Sequence, residues 1–134
     1  MKILITGANG FIGGQLASYL SQNIANYTLI LACRDIDAST VPKLPNTEVV
    51  KINLKNNENL EKICKGINLI IHLAGMNAKE CIDNPKKASE VNVKGTENLL
   101  NAAIKNGVKR FVYLSSIHVY DNSGSDNLYE HSDR

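Results

Sequence analysis

The chain lacks an excess of charge of either sign. Its 15 basic and 13 acidic residues leave +2 at pH 7, with no basic block and no aromatic stripe between basic residues, so nucleic acid is not an expected partner. It also lacks a long hydrophobic run. No apolar stretch approaches the length of a bilayer span, and Lys2 is followed by only three apolar residues before Thr6 and Gly7, so neither a membrane helix nor a signal peptide is expected. Cysteine is scarce: Cys33, Cys64 and Cys81 are odd in number and show no Cys-x-x-Cys or Cys/His metal spacing. That excludes a disulfide framework and a metal site, and leaves buried or half-buried free thiols in a cytoplasmic, reducing setting. Internal repeats, low-complexity tracts and an inter-domain linker are missing too.

What is present suits one α/β domain: 134 residues, 43% hydrophobic, are enough to bury a core. Apolar runs too short for helices alternate with longer stretches of helical spacing, the pattern of βαβ units around a parallel sheet. The strands read as Lys2 to Thr6, Thr28 to Cys33, Glu48 to Ile52, Asn68 to His72 and Arg110 to Ser115. Between the first two, Phe11, Leu16, Leu20 and Ile24 form the apolar stripe of a helix whose wet side carries Gln15, Ser18 and Gln22. A second helix is expected over Asn57 to Lys65, with Leu60, Ile63 and Cys64 inward and Gly66 as its stop. The longest is expected over Pro85 to Lys105, with Gly107 just past its end, and Pro42 and Pro45 punctuate the connection after the second strand. Right-handed crossovers give a doubly wound, Rossmann-type sheet of order 3-2-1-4-5, filling residues 1–120. Residues 121–134 turn polar and read as a loop or tail.

The most informative segment is Thr6-Gly7-Ala8-Asn9-Gly10-Phe11-Ile12-Gly13, set between the first strand and the first helix. Gly7 can take positive φ in a tight turn, Gly10 lets backbone approach a pyrophosphate, and Gly13 lets the helix pack closely on the strand. The free N–H groups of the first helical turn would then face phosphate, which makes Gly7, Asn9, Gly10, Phe11, Ile12 and Gly13 candidate dinucleotide-binding residues.

With three further motifs in order, the chain resembles the extended short-chain dehydrogenase/reductases, and within them the NAD-dependent epimerase/dehydratase group acting on nucleotide sugars. These motifs are His72-Leu73-Ala74-Gly75, Asn92-Val93-Lys94-Gly95-Thr96 with Asn98-Leu99-Leu100, and Phe111-Val112-Tyr113-Leu114-Ser115-Ser116 with Val119-Tyr120. The resemblance implies that Leu73, Ala74 and Gly75 line the crevice, although tight packing at the strand end would also want small residues there. It implies that Asn53 and Leu54 lie near the adenine edge, Asn53 replacing the usual Asp, and that Ser116 hydrogen-bonds the reacting oxygen of the substrate. Asn92, a poor helix former, needs a hydrogen-bonding duty, either bracing loop backbone or lying near the cofactor. His72 reads as structural. Glu130 and Asp133 are better explained as a solvated tail, and His118 and His131 have no partners at ligand spacing.

Cofactor choice turns on Ala32-Cys33-Arg34-Asp35. With Cys33 in the position of the ribose-binding acid, Arg34 suits a 2′-phosphate, so NADP is preferred over NAD; a shift of one residue would instead put Asp35 in the acid's place. The family's catalytic Tyr-x-x-x-Lys pair is absent. Tyr19, Tyr27, Tyr113, Tyr120 and Tyr129 are followed at the fourth position by Asn23, Leu31, Ile117, Gly124 and Asp133. The expectation is the N-terminal, cofactor-binding part of a nucleotide-sugar epimerase, dehydratase or reductase, truncated before the last strands and the substrate domain, with the 134-residue chain inactive alone. A non-enzymatic dinucleotide-binding or sensor module and a decayed gene fragment are the alternatives. In the family, the long helix is also a common homodimer surface.

Overall fold

The computed structural model describes residues 1–36, 41, 43–116 and 119. Five parallel strands lie in the order β3-β2-β1-β4-β5: β1 Lys2–Thr6, β2 Thr28–Cys33, β3 Thr47–Lys51, β4 Leu69–His72 and β5 Arg110–Tyr113. The expected order is therefore the observed one. β1 runs between β2 and β4 with Leu4 opposite both Ile30 and Ile70. Because both faces are covered, the central strands carry almost uninterrupted apolar sequence. Leu4, Ile30, Ala32 and Ile70 face one layer, with Leu60, Leu99, Ala102 and Ala103 above them. Ile3, Ile5, Leu29, Leu31 and Cys33 face the other, against Ala8 and Ala17.

The helices are α1 Phe11–Asn23, α2 Asn57–Cys64, α3 Ala78–Asp83, α4 Pro85–Ala88 and α5 Gly95–Lys105. Helices α2 and α5 pack together on one face of the sheet, and Leu16 and Leu20 bring α1 onto the other. Asparagine starts three of them: the Asn56, Asn77 and Asn84 side chains accept from the N–H groups of Asn59, Glu80 and Lys87. Among the described residues no helix is long and apolar enough to cross a membrane.

Several expectations need correction. Phe11 does not belong to the inward stripe of α1. It is 84% exposed, because the first turn sits out beyond the sheet, and α1 reaches the core from Gly13 onward through Ala17, Leu16 and Leu20. β3 lies one residue earlier than expected, since Thr47 already pairs with Leu29, and β5 ends at Tyr113 rather than Ser115. β4 begins at Leu69, because Asn68 instead takes the Lys2 N–H on its side chain and those of Lys109 and Arg110 on its carbonyl. The long helix from Pro85 to Lys105 is interrupted by a π-helical stretch, Ser89–Lys94. The short helix α3 was not anticipated, although Asn77 and Glu80 form its capping box. Pro42 and the polar segment 121–134, with Glu130, His131 and Asp133, lie outside the described residues, as do His118 and Tyr120.

Candidate functional site

The glycine segment leaves the carboxyl end of β1 and crosses the end of β2, where the Gly7 N–H donates to the carbonyl of Ala32 at 3.0 Å. Gly7 has φ +68°, and a Cβ there would stand 2.9 Å from the Ala74 nitrogen. The turn therefore needs glycine on two grounds, handedness and space. A Cβ on Gly13 would lie only 2.2 Å from the Gly7 carbonyl oxygen, so the first turn of α1 is seated directly on the loop.

What α1 lacks sets it apart. Its N-cap, Gly10, makes no side-chain cap hydrogen bond, and its first turn has no acidic residue. Helices α2, α3 and α5 each carry a glutamate there, and α4 has Asn84 as cap. The N–H groups of Phe11, Ile12 and Gly13 thus form, beyond the end of β1, an uncapped, positively polarised helix start with no carboxylate in its first turn to repel an anion. Asn9, Gly10, Phe11 and Ile12 are exposed around it, and the small residues leave backbone approachable. These residues fit the pyrophosphate of a dinucleotide.

The facing wall is the segment after β4. Thr6 and His72 are register partners in neighbouring strands. The Thr6 hydroxyl oxygen lies 2.6 Å from His72 Nδ1 and accepts from the N–H groups of Leu73 at 3.1 Å and Ala74 at 3.2 Å. This fixes Leu73 and Ala74 against Gly7. Further along, Asn92 clamps the Met76 peptide from both sides, its Oδ1 accepting from Met76 N–H at 2.7 Å and its Nδ2 donating to Met76 C=O at 3.2 Å. Of the two duties open to Asn92, bracing is the one seen. Gly75 is glycine where a Cβ would come within 3.3 Å of Asn92 Oδ1.

At the end of β2, Cys33 is fully buried, and burial pushes its thiol up despite N–H groups of Asn9 and Ala8 directed at it. Arg34 is exposed and paired with its neighbour Asp35, Nε to Oδ2, at 3.1 Å. At the end of β3, Asn53 uses Oδ1 to accept from the Lys55 N–H, which leaves one lone pair and its NH2 group for a ligand. Leu54 is half-buried, packed under Gly95, and its carbonyl accepts from Asn98. Ser116 lies beyond β5, where the Leu114 N–H donates to the carbonyl of His72, and its own carbonyl accepts from Val119. All the candidate residues thus fall at the carboxyl ends of the strands, with Gly7, Leu73 and Ala74 in contact across the crevice.

Sequence reasoning passed over Thr6, whose hydroxyl joins the two walls, and Thr96, which lies 3.0 Å from His72 Nε2. Their signal was available in part: a polar residue ends each of two adjacent core strands, and they sit in register.

Comparison with known proteins agrees with this layout. The model of the NAD dependent epimerase/dehydratase family matches residues 3–133. The chain is 36% identical to a dTDP-D-glucose 4,6-dehydratase of Dictyostelium discoideum, over 98% of its own length and 34% of the relative's. It superposes on an epimerase of Methanothermobacter thermautotrophicus with TM-score 0.87 and 32% identity, covering 98% of this chain and 40% of that one. A mutant uronate dehydrogenase from Agrobacterium tumefaciens, solved in complex with NAD, is similar at TM-score 0.73 and 29% identity, covering 89% of this chain and 42% of that one. The chain therefore spans about a third of the curated relative's length.

Proposed function

The chain belongs to the NAD dependent epimerase/dehydratase family, and from that premise we propose that it is the dinucleotide-holding portion of an enzyme that transfers hydride to and from a nucleotide sugar. The uncapped start of α1 over the Gly7 turn carries this reading. Gly7, Asn9, Gly10, Phe11, Ile12 and Gly13 hold the pyrophosphate, Leu73, Ala74 and Gly75 line the ribose side, and Asn53 and Leu54 meet the adenine edge. Ser116 orients the reacting oxygen of the sugar. A bound nicotinamide would supply the hydride chemistry.

We further infer a preference for NADP. No carboxylate occupies the Cys33 position, and the Arg34 guanidinium stands exposed beside it, in a solvent-screened pair with Asp35. Calorimetric titration should show NADP binding about tenfold more tightly than NAD, with Arg34→Ala removing most of the difference, since a charge-assisted phosphate contact is worth about 1.5–3 kcal/mol. Equal affinities would refute the preference, and no heat with either dinucleotide would refute the binding reading.

None of the five tyrosines has lysine at the fourth position after it, so the 134-residue chain should hold cofactor without turning over a UDP- or dTDP-sugar. Turnover by the purified chain would contradict that. We also infer pairing of two copies through α5, where exposed Leu100 and Ile104 share a face with Val93 one helical stretch earlier. Sedimentation should give a dimer that Ile104→Glu converts to monomer; a monomeric wild type ends the idea.

A further inference from the structure

We propose that His72, fixed as its Nε2–H tautomer between Thr6 and Thr96, is a positioning residue that holds the glycine loop and the Gly75–Met76 wall of the crevice in one arrangement. The proposal rests on reading that crevice as a dinucleotide site, and it follows from counting donors and acceptors along one chain of contacts that starts at the fully buried Thr6 and His72.

The Thr6 oxygen has two lone pairs, and the N–H groups of Leu73 and Ala74 occupy both. Its one proton must therefore point at His72 Nδ1, 2.6 Å away. Nδ1 is then an acceptor, and a neutral ring carries its proton on Nε2, directed at the Thr96 oxygen at 3.0 Å. The Thr96 hydroxyl in turn donates to the backbone carbonyl of Asn92 at 2.7 Å. Every hydroxyl and ring proton in the series runs the same way, from β1 through β4 to the π-helical stretch. It ends at the residue whose amide grips Met76 on both sides. Reversing any one proton leaves two donors facing each other or an acceptor unfilled, which is costly where Thr6 and His72 are fully buried. The ring centroids of Phe111 and Tyr113 each lie 5.8 Å from that of the imidazole.

The walls are thereby tied through a side-chain path that touches neither phosphate nor sugar. Gly7 reaches Ala74 through backbone, and Met76, whose carbonyl also takes the Cys81 thiol, is tied to His72 by way of Asn92 and Thr96. His72 is the piece that joins the two ends, and Thr96 is the contact best suited to cutting the path, because valine copies its shape without the hydroxyl.

Nitrogen-detected NMR of the ligand-free 134-residue chain at neutral pH should show His72 Nδ1 unprotonated and Nε2 protonated. Amide exchange in Thr96→Val should speed up about tenfold at both Ala74 and Met76, while Leu29 and Leu31 in β2 keep their protection and report that the fold is intact. Thr96→Ser should restore both amides. An Nδ1–H tautomer overturns the proposal, as does exchange in Thr96→Val that is unchanged at Ala74 or raised equally throughout β2. In calorimetry Thr96→Val should bind dinucleotide about tenfold more weakly than wild type. Wild-type affinity in that variant would remove the positioning role and leave the dinucleotide reading standing. Absence of heat with the wild type would remove the dinucleotide reading, and the tautomer and exchange results would still decide whether His72 ties the two walls.

Discussion

Replacing Gly13 with alanine is expected to abolish dinucleotide binding, while the same change at the next residue, Gly14, leaves binding intact and stabilises the chain. Both positions lie in α1, where alanine is favoured over glycine by about 1 kcal/mol through backbone entropy alone. Space decides the outcome. At Gly14 a new Cβ would have the Ala8 carbonyl oxygen at 3.6 Å, an ordinary contact, so the helix preference is kept. At Gly13 it would meet the Gly7 oxygen at 2.2 Å and the Ala8 Cα at 2.9 Å, both backbone atoms. Neither can swing aside as a side-chain end could. Gly7 itself is hemmed in by Ala74, so the loop cannot retreat without opening the crevice. Overpacking of this kind costs about 3 kcal/mol, which outweighs the helix preference, and displacement of the first-turn N–H groups proposed to hold phosphate should weaken binding at least about a hundredfold. Urea denaturation and calorimetry on the two variants would check both signs. Gly13→Ala with normal affinity would show that α1 is not seated on the loop as described.

Acid should destabilise the chain by about 3 kcal/mol between pH 6.5 and pH 4 through His72 alone. Burial pushes the imidazole down to about 4 from an ordinary value of about 6.5. The groups packed around it are the Thr6 and Thr96 hydroxyls and the Phe111 and Tyr113 rings, none of which would stabilise a cation by charge. In this interval the unfolded chain takes up a proton that the folded chain refuses, so stability rises with pH. The contribution is complete above pH 6.5 and is lost progressively as the pH falls towards 4. Denaturation midpoints across that range would measure it, and His72→Asn, which keeps an acceptor for Thr6 and cannot titrate, should flatten the slope. A wild-type profile with no such slope would mean that the buried ring is less sealed than its zero exposure indicates.

Much of the frame was legible because its signals are local and repeated. β1 and β2 came out with their observed bounds, since each apolar run is closed by a residue that cannot extend it, Gly7 in one case and Arg34 in the other. The glycine turn between β1 and α1 was legible for the same reason. Phe11 was misjudged because helical spacing continues into a first turn that has no sheet beneath it. The π-helical stretch has no period of its own in sequence, and Asn92 meets Met76 only through folding. Arg34 reads as a free phosphate ligand, whereas its pairing with Asp35 depends on rotamers that spacing does not encode. The Thr6–His72–Thr96 series was the hardest to see, because its members are separated by 66 and 24 residues and become neighbours only when β1 lies beside β4.

The bare start of α1 has a thermodynamic meaning. Asparagines finish α2, α3 and α4 from within the chain, and α5 continues from the π-helical stretch, but α1 stops at Gly10 with its first amides still owed a partner. A bound dinucleotide would complete that helix, so part of its binding free energy is folding free energy of the first turn. The ligand-free chain should fray there first, and saturation with ligand at a hundred times its Kd should raise the stability of the whole domain by about 2.7 kcal/mol.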